Sequence, residues 1–203
     1  MQVNAIGADA NLITQFLIGD TTRGEICGSC PTRGLHFRSL QPLTDGGISS
    51  PTLDLCYGAR SDELDGKVLK ALSGHSLPSK FKYCPLAPNL FLEVHSNARS
   101  TAEVSRQACY VGAICARGIR SLQWYGKPDF VFDGNAFTLS ATFHDGTLKI
   151  YAIWPTKSFP SRGDSYETRV EFRTVLAVAW IMKTSLQGYQ DGLIAFRNVM
   201  RFD

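Results

Sequence analysis

The chain reads as an α+β protein, an α/β sandwich in which a small mixed β-sheet is flanked by helices. Three observations lead there. The run AFTLSATFHDGTLKIYAIW (136–154) alternates and is β-branched on both sides of Asp145-Gly146, a pair that tolerates the positive φ of a two-residue hairpin turn. NLFLEVH (89–95) is an apolar run of strand length, followed at once by a long helical pattern. The remaining helical patterns cluster before and after these strands instead of alternating regularly with them, which favours helices packed around one sheet.

Taken in order, residues 9–18 carry a short helical pattern at most, and 19–52 are rich in Gly, Ser, Pro and Thr and read as loop or extended lead-in. LDLCY (53–57) is a short strand. Ser61 opens a helix with Asp62, Glu63 and Asp65 in its first turn, where the macrodipole favours acids, and Leu64, Val68, Leu69 and Leu72 form its apolar side. Gly74 and Pro78 stop it. In 89–95 the polar members Glu93 and His95 are two apart and so share one strand face. From Ser100 to Ile119, Ala102, Val104, Ala108, Val111, Ala113, Ile114 and Cys115 give a helix with a small-residue side suited to close packing on a sheet. The hairpin follows, then a Pro/Ser/Gly loop at 155–164. Ser165 is read as the cap of a helix reaching Lys183 through Val170, Val175, Val178, Ala179 and Met182, and a last amphipathic helix covers 186–201.

At 203 residues the chain has room for one domain with a sizeable core. A hydrophobic share of 44% against 19% charged residues excludes a disordered chain. The longest apolar runs, such as 175–182, fall well short of the ~20 residues of a spanning helix, so no membrane partner is expected. The first twenty residues lack a basic segment before their interrupted apolar stretch, which argues against a secretory signal and for an intracellular setting, nuclear or cytoplasmic. Six cysteines are too sparse for a disulfide-built scaffold. The net charge of +3 permits a polyanionic partner without requiring one.

Chemistry concentrates at Asp54 and Glu93-Val94-His95. Two carboxylates on neighbouring strands can hold Mg²⁺ while leaving water positions open, and a polar group two residues after the second shares its face and can orient an attacking water. The intervening helix at 61–73 would occupy most of the gap between them.

These residues also carry a resemblance. SPTLDLCYG (50–58), NLFLEVHSNA (89–98) and AEVSRQACYVGAICA (102–116) together resemble the PD-(D/E)XK, or restriction-endonuclease-like, superfamily. They are similar in particular to uncharacterised fungal domains of that group. Pro51, Asp54, Leu55, Tyr57 and Gly58 match the first block, Leu90 to Glu93 the second, and Gln107, Ala108, Gly112 and Ala113 the third. The resemblance implies a restriction-endonuclease-like core with Asp54 and Glu93 as ligands of Mg²⁺, for which Mn²⁺ can substitute. It further implies a catalytic residue at position 95, with Gln107 on the next helix pointing toward the site. The implied activity is Mg²⁺-dependent hydrolysis of phosphodiesters in DNA or RNA. The implied alternative is a catalytically lapsed module of the same fold that binds or interacts.

Three departures qualify the match. His95 stands where the family has lysine, and an imidazole of unperturbed pKa ~6.5 is mostly neutral where an ammonium is charged. Leu53 replaces a proline before the aspartate. A helix preceding the sheet is hard to find, Glu25 being a poor candidate for the glutamate it often contributes. The expectation is therefore a poorly determined, truncated lead-in at 1–49 and a nuclease-like domain at 50–203.

Other signals read more plainly. Pro128-Asp129 has no (D/E)-x-K at strand spacing after it and reads as a surface loop. Cys27-Gly28-Ser29-Cys30 has zinc-knuckle spacing but no second pair, and reads as free cysteines in a loop. Cys109 and Cys115 read as small packing residues, His144 as a solvated turn residue, and His36 and His75 as lacking a visible partner. Trp124, Tyr125, Trp154 and Trp180 read as core or edge anchors. A nucleic-acid groove would have to be assembled from Lys80, Lys82, Arg99, Arg106, Arg117 and Arg120.

Overall fold

The computed structural model describes residues 13, 17, 34–37, 39–44, 52–60, 62, 64–76, 85–95, 97–128, 130–158 and 169–200. Its centre is a five-stranded mixed sheet built from β3 (Leu55–Ala59), β4 (Leu86–His95), β5 (Thr138–His144), β6 (Thr147–Ser158) and β7 (Arg169–Ile181), in that spatial order. Only β4 and β5 run parallel. A parallel pair needs a crossover, and α3 (Thr101–Gln123) supplies it. Two short strands, β1 (Leu35–His36) and β2 (Thr52–Leu53), pair separately. The helices α1 (Gly66–Ala71) and α2 (Ser73–Ser76) lie between β3 and β4, and α4 (Leu186–Val199) follows β7.

Strand alternation divides the core into two layers. Leu55, Tyr57, Leu90, Leu92, Ala141, Leu148 and Ile150 form one face of the sheet, packed with Phe196 of α4 and with Ile13 and Leu17, two helical positions four apart in the lead-in. Cys56 and Phe91 on the other face meet Val111, Ile114 and Cys115 of α3, while Tyr151 and Ile153 meet Ala108 and Ala116. The small-residue side read from the sequence is what brings α3 so close. A Cβ added at Gly112 would sit 2.7 Å from Ile153 Cδ1, so that position has no room for a side chain without a shift.

Several local expectations agree with these elements. Ser100 caps α3 in a full capping box with Glu103. Asp145 and Gly146 form the β5–β6 turn, both at positive φ. The helix expected from Ser61 starts later, at Gly66, because Asp65 is its cap and accepts the Lys67 amide. The strand expected at 53–57 is divided, with Asp54 at a bend between β2 and β3.

The helix expected from Ser165 to Lys183 is a correction: Arg169–Ile181 is strand β7, paired antiparallel along the whole of β6. Val175, Leu176, Val178 and Ile181 remain exposed on this edge strand, while Phe172 and Trp180 pack against the core. With apolar side chains on both faces, and one residue inserted where Ile150 pairs with Val178 and Tyr151 with Leu176, the segment loses the period of two that marks a half-buried strand. The surviving three- and four-residue spacings imitate a helix.

Among the described residues no helix is long and apolar enough to cross a membrane.

Candidate functional site

The face of β4 that meets α3 carries Phe91, Glu93 and His95, and their lateral neighbours on β5 are Ser140, Thr142 and His144. On the other side of β4, Asp54 stands one position before the Leu55↔Leu92 pair, beside Glu93. Its amide donates to Leu92 O at 3.1 Å, and its Oδ2 accepts the Val94 amide at 2.7 Å. The bend at Asp54 thus fixes its carboxylate against the backbone of β4. Gln107 comes from the second turn of α3, whose start is set by the Ser100 cap. The structure therefore brings Asp54, Glu93, His95 and Gln107 together from three elements.

Glu93 is 1% exposed, which is unusual for a carboxylate. Its Oε1 accepts from Gln107 Nε2 at 2.7 Å, and Gln107 Oε1 accepts in turn from Arg99 at 2.7 Å. Among the described residues its Oε2 has no hydrogen-bond partner. It faces His95 Nε2, equally buried and equally unpartnered, at 4.0 Å. That distance is too long for a hydrogen bond.

Burial pushes the Glu93 carboxyl up to about 7; the Gln107 hydrogen bond opposes the shift, the nearby Asp54 carboxylate adds to it and Arg99 counters it. Burial pushes the His95 imidazole down to about 4, with Arg99 and His144 acting in the same direction. Asp54 is also raised by burial, against the Val94 hydrogen bond. At neutral pH His95 is therefore neutral, so its approach to Glu93 is not an ion pair. Buried polar atoms left without partners are costly.

A cation fits this donor set in part. The free oxygen of Glu93 and the lone pair of a neutral imidazole are both ligand atoms, with Asp54 alongside. Among the described residues, however, no three His, Cys, Asp or Glu side chains converge closely enough to form a ready metal cluster. Any ion would be completed by water or substrate oxygens, as is common for Mg²⁺.

Two partners of the site differ from the sequence reading. His144 is a strand residue, half-buried beside His95, and not a solvated turn residue. Its Nε2 lies 3.0 Å from Arg99 O; a carbonyl only accepts, so Nε2 carries the proton and Nδ1 is left as the basic nitrogen. Arg99, read only as a scattered groove residue, is tied to Gln107. The i to i+2 rule that paired Glu93 with His95 applies within one strand and does not reach across to His144. Register between strands is required for that.

The other signals lie elsewhere. His36 meets Thr52 Oγ1 at 2.8 Å, and His75 meets Ser121 and Gln41, so both have partners after all. Arg117 donates to Gln41 O and Pro42 O, and Arg120 lies over the Phe130 ring at 4.6 Å. These two are in the last turns of α3, at the opposite end of the helix from Gln107, so they do not join Arg99 in one groove. Cys115 is buried as expected, whereas Cys109 is half-buried. Trp124 stacks among Phe130 and Phe137, and Tyr125 is largely exposed. Cys27, Cys30, Glu25, Lys80, Lys82 and Asp129 lie outside the described residues. A cleft of about 770 Å³, lined by Asn89, Trp124, Lys127 and Phe137 among others, opens at the far end of β4 and does not include Glu93.

No family model, no curated protein and no solved structure matches the chain.

Proposed function

We propose that the protein is a divalent-metal-dependent phosphodiesterase acting on DNA or RNA, a nuclease of the PD-(D/E)XK type in which His95 takes the place of the lysine. The observation that carries this reading is the pair of buried, unpartnered atoms, Glu93 Oε2 and His95 Nε2, with the Asp54 carboxylate beside them. The strand, strand and helix order that places Asp54, Glu93, His95 and Gln107 around one point supports it further. Asp54 and Glu93 would hold Mg²⁺ or Mn²⁺. Such an ion, when bound, lowers the pKa of a coordinated water and offsets charge developing on the phosphoryl oxygens. Gln107 fixes the rotamer of Glu93 by binding Oε1, leaving Oε2 free. His95, neutral and buried, presents its Nε2 lone pair to the place where the ion and its water would sit. Arg99, exposed beside the site, offers a guanidinium to a phosphate.

Plasmid, single-stranded DNA and RNA incubated with the purified chain and Mg²⁺ or Mn²⁺ test this. Cleavage that disappears in Asp54→Ala and Glu93→Ala is expected; cleavage unchanged in both variants overturns it.

A second reading, a binding module with a lapsed site, is favoured by one observation: Asp54 Oδ2 is already engaged by the Val94 amide, and among the described residues no three His, Cys, Asp or Glu side chains converge. It expects nucleic-acid binding in EDTA, measured by fluorescence anisotropy, with no cleavage by the wild type. Gain of cleavage in His95→Lys would show that only the lysine was missing.

A further inference from the structure

Resting on the metal-dependent reading above, we infer that this centre selects a borderline divalent ion that accepts imidazole, Mn²⁺ above all, over Mg²⁺, with His95 Nε2 ligating the ion together with Glu93 Oε2. Lysine at position 95 could not act this way, because an ammonium has no lone pair; a histidine there changes the ligand chemistry along with the charge. Imidazole suits transition metals, whereas Mg²⁺ prefers an all-oxygen shell and near-ideal octahedral geometry.

The geometry is compatible with one shared ion. Glu93 Oε2 and His95 Nε2 are 4.0 Å apart. That is slightly less than twice a metal–ligand bond of ~2.1 Å, so both atoms reach a single ion after side-chain adjustments of about an ångström or less. Each atom is buried and lacks any other partner among the described residues, and each side chain is at most 7% exposed. The other carboxylate oxygen is held by Gln107, so Glu93 has one oxygen to offer and a fixed direction in which to offer it. A hydrogen bond of this kind, to the oxygen that does not ligate, is what orients a ligating carboxylate. On the neighbouring strand His144 is level with His95 and is held through Nε2 by the Arg99 carbonyl, which keeps a second imidazole packed beside the first.

The test uses the full chain freed of metal with EDTA and then titrated with MnCl₂ or MgCl₂, binding being read by calorimetry. Mn²⁺ is the main probe because, unlike Zn²⁺ or Co²⁺, it has little taste for the thiolates of free cysteines. Mn²⁺ is expected to bind at least tenfold more tightly than Mg²⁺. In His95→Gln, with folding checked by circular dichroism, the ratio should fall toward one. Pulsed electron paramagnetic resonance of the Mn²⁺-loaded wild type needs no variant and should show a directly coordinated imidazole nitrogen, a signal absent from His95→Gln. Equal Mn²⁺ and Mg²⁺ affinities, or absence of the nitrogen signal in the wild type, overturn the inference while leaving metal-dependent cleavage standing. Failure to bind either ion overturns both.

Discussion

The two faces of strand β4 divide structure from chemistry residue by residue. Leu90, Leu92 and Val94 point into the layer closed by α4, where Leu92 and Phe196 are fully buried among other apolar side chains. Phe91, Glu93 and His95 point under α3, where the sheet also buries Thr138, Ser140 and Thr142. Among the described residues, the hydroxyl oxygens of Thr138 and Ser140 are left without partners there, as are the facing atoms of Glu93 and His95. One layer is satisfied by burial alone; the other tolerates unpaired polar atoms, which burial penalises. Adjacent residues of one strand should therefore respond to substitution with opposite signs.

Leu92→Ala gives the largest expected effect. Deleting its buried atoms opens a cavity in the apolar layer and should lower stability by about 2 to 5 kcal/mol in urea denaturation. Glu93→Gln, one residue on, should do the reverse above neutral pH. A loss of stability at pH 8 comparable to that of Leu92→Ala would show that the carboxylate is well solvated or paired and would erase the contrast.

The pH dependence sharpens the same point. The folded Glu93 carboxyl titrates near 7 against an ordinary 4.5, so between those values the folded state binds more protons than the unfolded one and stability falls as pH rises. Above pH 7 the penalty is complete and is on the order of 3 kcal/mol. For His95, about 4 in the fold against an ordinary 6.5, the unfolded state binds more protons in between, so stability rises with pH across that window. The two slopes oppose one another between about 4.5 and 6.5. In metal-free buffer their sum should be nearly flat there. Glu93→Gln should unmask a rise with pH and His95→Gln a fall, both measured as urea midpoints relative to wild type. Parallel profiles for all three proteins would mean that neither group is perturbed.

Gly112→Ala tests how closely the polar layer is pressed by its helix. The added Cβ lies 2.7 Å from both Cδ1 and Cγ1 of Ile153, so either Ile153 leaves its rotamer or α3 lifts from the sheet. A loss of about 1 to 3 kcal/mol is expected from such overpacking. Pairing it with Ile153→Val should recover part of that loss.

How much of this was legible in the sequence follows from which interactions are local. The hairpin turn, the start of α3 at Ser100 and the small-residue side of α3 are written within a few residues, and each was read; that Ser100 is a cap is seen only in the structure. The shared strand face of Glu93 and His95 was read as well. Strand β7 was misread because its two apolar faces, one packing Trp180 and the other Phe172 onto the core, follow from its place beside β6 in the sheet, a tertiary fact with no local mark. Arg99, His144 and the depth to which Glu93 is buried depend on register between β4 and β5 and on α3 lying over both. The Ile13 and Leu17 positions show a related limit: a helical pattern too brief to weigh in the sequence contributes two side chains to the core.

Ser100→Ala carries the smallest expected effect and joins the two halves of the comparison. Ser100 Oγ accepts the Glu103 amide at 3.3 Å, and Glu103 Oε2 accepts the Ser100 amide at 2.8 Å, closing the first turn of α3. Removing the hydroxyl should cost about 1 kcal/mol of stability, far less than Leu92→Ala. Its consequence is expected to be local. The residue before the cap is Arg99, whose side chain holds Gln107 and whose carbonyl holds His144, and Gln107 in turn fixes Glu93. A frayed first turn loosens that chain of contacts without opening the apolar layer. Amide hydrogen exchange should therefore speed up at 103–107 and stay unchanged along Leu90–Leu92, while divalent-ion affinity falls by a few-fold. Equal acceleration on both sides of the sheet would mean that the two layers open together, and that the polar one has no separate stability to lose.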